Sequence, residues 1–129
     1  MPRKAEPTPG TPTEEQSATY ERLVPMLEAA HREMSELSKK KQDGIVNAVK
    51  IKLINRLLTD LGMLLEDDPS HGFVDMLDED TLPQNSDAVL ILSQWRAALA
   101  QYKNAHQGSD GMGSRRWLTV EYPAGVSMR

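Results

Sequence analysis

Cysteine is absent from this chain of 129 residues, which excludes disulfides and thiolate metal sites. The absence fits a reducing, cytoplasmic setting. Long apolar runs are missing too. The longest are a handful of residues, against the ~20 needed to span a bilayer, so no membrane span is expected. Basic residues near the N-terminus have no apolar segment behind them, so no signal peptide is expected. Aromatic side chains are scarce: Tyr20, Phe73, Trp95, Tyr102, Trp117 and Tyr122. The core must therefore be built from Leu, Ile, Val, Met and Ala.

One sign of charge is also missing from a long stretch. Between Leu57 and Trp95 there is no Lys or Arg, while Asp60, Glu66, Asp67, Asp68, Asp75, Asp78, Glu79, Asp80 and Asp87 all fall there. Just upstream, Lys39, Lys40, Lys41, Lys50, Lys52 and Arg56 are opposed only by Asp43. Charge sorted in this way points to surfaces that meet a partner or a second copy of the chain. The net charge of −4 argues against bulk nucleic-acid binding but leaves room for a local basic patch.

What is present is helical periodicity. Thr11, Pro12, Thr13 and Glu14 fit a capping box with Pro at the first helical position. Tyr20, Leu23, Leu27, Ala30, Met34 and Leu37 then follow in steps of three and four, a coiled-coil-like seam. Pro25 interrupts that seam and predicts a kink or a later start. Asp43 and Gly44 end the segment. A second helix is expected over about 45–65, with an apolar face broad enough to touch two neighbours. An acidic connector follows from Glu66 to Asn85, broken by Pro69, Gly72 and Pro83, with one helical turn around Phe73–Leu77. The third helix is expected from Asn85 or Ser86 to about His106.

The first dozen residues are rich in Pro and polar groups and too poor in apolar ones to offset ordering entropy. Gln107–Arg116 has the composition of a flexible linker. Arg115–Pro123 alternates and is rich in strand formers, so it reads as one short strand with no partner within the chain. Such a strand would add to another sheet, pair across a dimer or lie over the helices. The expected fold is therefore all-α: a small antiparallel three-helix bundle over 13–107, a disordered arm over 1–12, and a flexible linker with a strand-like docking tail over 108–129.

Chemical motifs are few. Asp75, Asp78, Glu79 and Asp80 suggest a divalent-ion site, but the EF-hand pattern fails because Leu77 or Pro69 falls where an acid or amide is required. His31, His71 and His106 lie on different elements without metal-ligand spacing. Nothing around Ser35, Ser38, Ser70 or Ser93 resembles a nucleophile elbow. No cofactor is expected.

These residues favour a non-catalytic accessory or adaptor subunit, with a protein partner or self-association. Leu23, Leu27, Met34 and Leu37 would form one contact seam; Trp117, Leu118, Val120 and Tyr122 would form a docking tail. A first alternative is a small subunit of a nucleoprotein complex, with Lys39, Lys40, Lys41, Lys50, Lys52, Arg56, Arg115 and Arg116 on phosphates. A second is a metal-dependent enzyme using the carboxylates of Asp75–Asp80.

Overall fold

The computed structural model describes residues 10–126. It is mostly helical, with α1 over Glu14–Lys40, α2 over Ala48–Leu64 and α3 over Asn85–Ala105. A 3-10 turn spans Pro69–Phe73, and two short strands, β1 (Gln107–Ser109) and β2 (Arg115–Trp117), pair antiparallel. Most of the expected 1–12 arm lies outside the described residues, and so do residues 127–129.

Helix α1 begins two residues later than its first capping signal. Thr13, not Thr11, is the cap: its hydroxyl accepts the Gln16 N–H at 3.1 Å, and the Gln16 side chain accepts the Thr13 N–H at 2.9 Å. Together they satisfy two of the donors that a helix start leaves open. The shift has a cause, because Pro12 is buried and its carbonyl accepts the Val120 N–H at 2.9 Å. The helix runs through Pro25 without ending. Pro25 is exposed, so water can serve the carbonyl that its missing N–H leaves unpaired.

Cross-helix contacts give the directions. Glu21 meets Lys103, Glu28 meets Arg96 and His31 meets Ser93, so α3 runs opposite to α1. Lys50 meets Glu33 just beyond the α1–α2 turn, so α2 also runs opposite to α1. Helices α2 and α3 therefore point the same way and start at the same end. There the Asn85 N–H donates to the Gly44 carbonyl at 2.7 Å, and its side-chain amide donates to the Lys41 carbonyl at 2.9 Å. A Cβ on Gly44 would stand 2.8 Å from Asn85 Nδ2, so glycine allows this approach without displacing the Asn85 amide.

Because α2 ends at the opposite end, residues 65–84 must return along the molecule. The short helical segment in this connector lies earlier than Phe73–Leu77. Asp68 caps it by accepting the Ser70 N–H, and Pro69 sits at its first position. Val74 then begins an extended path. Asn55 of α2 clasps that path: its side chain accepts the Leu77 N–H at 2.9 Å and donates to the Leu77 carbonyl at 2.8 Å. Trp95 of α3 donates its indole N–H to the Asp75 carbonyl at 2.8 Å.

The core is mainly aliphatic, as expected, but Tyr20, Trp95 and Tyr102 are buried in it too. Leu27, Ile51, Leu58, Leu61 and Leu92 are fully buried, each contributing roughly 1.5–3 kcal/mol by leaving water. Two expectations for the C-terminal region are corrected. The segment after α3 is a β-hairpin, with Gln107 opposite Trp117 and Ser109 opposite Arg115. Its turn uses positive φ at Gly111 and Gly113, with the Asp110 carboxylate accepting the N–H groups of Met112 and Ser114. The strand thus has a partner within the chain.

Replacing Asn55 by Leu keeps the branched outline of the side chain but strands both backbone groups of Leu77. The expected cost is about 1–3 kcal/mol, read from urea denaturation. Amide exchange at Leu77 should accelerate while exchange across the α1–α3 contact changes little.

Candidate functional site

The expected helical seam divides between core and surface. Leu27 and Met34 are buried, so their side chains hold the core in place of presenting a contact. Leu23 and Leu37 are half-buried against it. What α1 does present is Met26, 57% exposed, beside an open groove shared with α2. Leu23, Met26 and Ala30 form one wall; Leu53 and Leu57 form the other; Met34 and Ile54 lie between them. The groove has a volume of about 440 Å³. Leu53 on its far lip is 52% exposed.

Charges border this groove in both signs. Lys50 of α2 reaches Glu33 of α1 at 3.5 Å, and Arg56 and Asp60 stand further along α2. Exposed pairs such as Lys50–Glu33 contribute little stability, but they fix which charges a visiting surface meets.

The C-terminal residues converge on the chain's own helices. Trp117 packs edge-on against Tyr20 with ring centroids 4.8 Å apart, and lies 6.0 Å from Tyr102. Its indole N–H donates to Glu21 at 2.9 Å. Lys103 sits over both the Tyr20 and Trp117 rings and reaches Glu21 at 2.7 Å. Burial pushes the Tyr20 and Tyr102 hydroxyls up to about 12. The Leu118 N–H donates to the His106 carbonyl, and the Tyr122 N–H donates to the Thr119 hydroxyl. Val120 is pinned by its N–H to Pro12, although its side chain is 46% exposed. Glu121 closes the arrangement, its carboxylate accepting the Glu14 N–H at the start of α1, where negative charge is favoured.

The basic residues do not form one surface. Lys39, Lys40 and Lys41 lie at the far end of α1 from this aromatic cluster, roughly 30 Å away at ~1.5 Å per helical residue. Lys39 pairs with Glu36 at 3.2 Å. Lys52 and Arg56 are exposed on α2. Arg115 is exposed and donates to the Gln107 carbonyl at 3.2 Å. Arg116 is taken up within the fold: its guanidinium donates to the carbonyls of Trp117, Tyr122, Pro123 and Val126. Sequence reasoning treated it as a surface cation and missed this role.

The acidic connector shows local order. The Asp78 carboxylate accepts the N–H groups of Asp80 and Thr81, which hold its carboxyl below the ordinary value. Among the described residues, no three His, Asp or Glu side chains gather as a metal-holding group. No described helix is long and apolar enough to cross a membrane.

One polar pair was not visible in the sequence. His31 Nε2 lies 3.0 Å from Ser93 Oγ, bridging α1 and α3. Ser93 is in mid-helix, where backbone N–H groups are already engaged, so no pair of free donors stands ready for an oxyanion. The bond ties two helices together. Beside it, Glu28 accepts from Arg96 Nε through both oxygens, at 3.0 and 2.9 Å.

Comparison with protein-family models, curated proteins and solved structures gives no match to this chain.

The helix contacts carry a pH signature. Arg96, above all by hydrogen bonding, holds Glu28 below the usual carboxylate range. Burial pushes Glu21 up, but the bonds from Lys103 and Trp117 outweigh it and leave the carboxyl lowered. Burial lowers His31, helped by Arg96 and opposed by Glu28; burial also lowers His106, opposed by Asp68. All four groups bind protons more weakly folded than unfolded. Their stabilisation is complete above the unfolded values, 6.5 for His and 4.5 for Glu, and is lost as pH falls through the lower folded ones. Urea midpoints should therefore decline in two stages, first below about pH 6.5 and again below about pH 4.5. His31→Gln should remove part of the first stage, and a midpoint flat from pH 7 to pH 5 would contradict the account.

Proposed function

We propose that this chain is a non-catalytic accessory subunit that assembles with a protein partner through the α1–α2 groove. In this reading the three helices act as one bundle, and the C-terminal hairpin and tail brace its end. The observation that carries the proposal is the exposure of Met26 and Leu53, 57% and 52%, on opposite lips of an apolar groove. Scattered exposed apolar residues need no explanation, but a contiguous apolar surface with a charged rim is characteristic of binding sites. A partner helix would seat its apolar residues between α1 and α2 and meet Glu33, Lys50, Arg56 and Asp60 at the edges. The tail supports this role indirectly: Trp117 packs on Tyr20 and Glu21 of α1, and Val120 and Glu121 hold the start of α1 through Pro12 and Glu14. A cytoplasmic location accords with the lack of cysteine.

Leu53→Asp tests the proposal, because a carboxylate on the lip would be desolvated by any apolar partner. The full chain, tagged and isolated from its host at moderate salt, should retain a stoichiometric protein after nuclease treatment. The Leu53→Asp chain should keep its helical circular dichroism and lose that protein about tenfold or more. Loss of the partner on nuclease treatment alone would contradict the proposal, as would its retention by Leu53→Asp.

A further inference from the structure

A second apolar face lies on the opposite side of α2 and differs from the first in its charge. An open groove of about 590 Å³ runs between the C-terminal half of α2, the returning connector and α3. Met63 and Met76 form its lips, 64% and 41% exposed, while Trp95, itself buried, stands at its base. Val74 borders this groove and also a neighbouring depression that Phe73 lines. Phe73 is the only phenylalanine of the chain and is 79% exposed. The apolar face is therefore continuous from Met63 through Val74 to Phe73.

Its charge leans to the negative. Neither depression is lined by a Lys or Arg; Glu66 and His71 are the titratable side chains among their lining residues. Asp75, exposed on the connector between Val74 and Met76, lines neither depression but stands on the segment that borders them, and Asp78, Glu79 and Asp80 continue that segment. This is the stretch from Leu57 to Trp95 without a Lys or Arg. The cations that could neutralise it are engaged elsewhere: Arg96 with Glu28 and Lys103 with Glu21, both on the α1 side of α3.

We infer that this face binds a basic amphipathic helix from a partner protein, its apolar side on Met63, Met76 and Phe73 and its Lys or Arg residues on Glu66, Asp75 and the acidic connector. Methionine lips suit such an occupant because the unbranched thioether adapts to different apolar side chains. The negative rim selects cationic peptides and repels phosphate-bearing surfaces. This surface is separate from the α1–α2 groove, so the two can fail independently.

The test uses the full chain and a synthetic helix of leucine and lysine with all leucines on one face. Two control peptides carry glutamate in place of lysine, or the same residues with leucines spread around the helix. Titration calorimetry should show one-to-one binding of the first peptide, weakening as salt is raised, and no binding of the glutamate peptide. The spread peptide should bind about tenfold more weakly or worse. Phe73→Ala with Met63→Ala should weaken binding about tenfold; both side chains are exposed, so the fold is kept. Glu66→Gln with Asp75→Asn should weaken it and flatten the salt dependence. Leu53→Asp should leave it unchanged. Absence of binding would overturn the inference. So would equal binding of either control, binding indifferent to Phe73→Ala with Met63→Ala, or loss of binding in Leu53→Asp.

Discussion

The two hydrogen bonds between the Asn55 side chain and the backbone of Leu77 hold the element on which the helix arrangement depends. Helices α2 and α3 start at the same end of the molecule, so the chain must travel back between them. An extended return path exposes backbone donors and acceptors that no regular sheet satisfies. Asn55 supplies both partners at one residue, and Trp95 supplies a donor two residues earlier. With the path fixed, α3 can begin against the α1–α2 turn through Asn85 and Gly44. The same path forms one wall of the acidic groove, so the contact that places α3 also shapes a surface.

The opposite end is held by a different economy of residues. Three of the six aromatic side chains, Tyr20, Tyr102 and Trp117, gather there. Arg116 gathers four carbonyls of the tail, replacing the sheet or helix that would otherwise pair them. Glu121 and Thr119 then close on Glu14 at the start of α1. A small aliphatic core gains a closed end by these contacts, and the tail becomes a brace for α1.

Much of the helical framework was legible because it rests on period and punctuation. The steps from Tyr20 to Leu37 and the apolar positions of α2 located their helices within a few residues. The division of the α1 seam into core and surface was not legible, since periodicity marks an apolar face but not which neighbours cover it. The capping box read at Thr11 to Glu14 gives way to one at Thr13 to Gln16 because the tail occupies Pro12. The hairpin was missed because Gly111 and Gly113 read as flexibility. The Asp110–Gly111 pair was the available turn signal, and it placed positive φ where a hairpin needs it. Arg116 looked like a surface cation, because a side chain that bonds to distant carbonyls leaves no mark in spacing. The His31–Ser93 pair is hidden for the same reason.

Helix α2 therefore separates two apolar surfaces, one with mixed charge toward α1 and one with negative charge toward the connector. Methionines mark both: Met26 on the first, Met63 and Met76 on the second, with Met34 buried and Met112 fully out in the hairpin turn. Oxidative footprinting of these side chains, with and without the partner isolated alongside the chain, tests the assembly role most directly. Met34 should resist oxidation and Met112 should react in both states, while Met26 should react in the free chain and be protected in the complex. Met26 reacting as readily in the complex as in the free chain would contradict assembly through the α1–α2 groove.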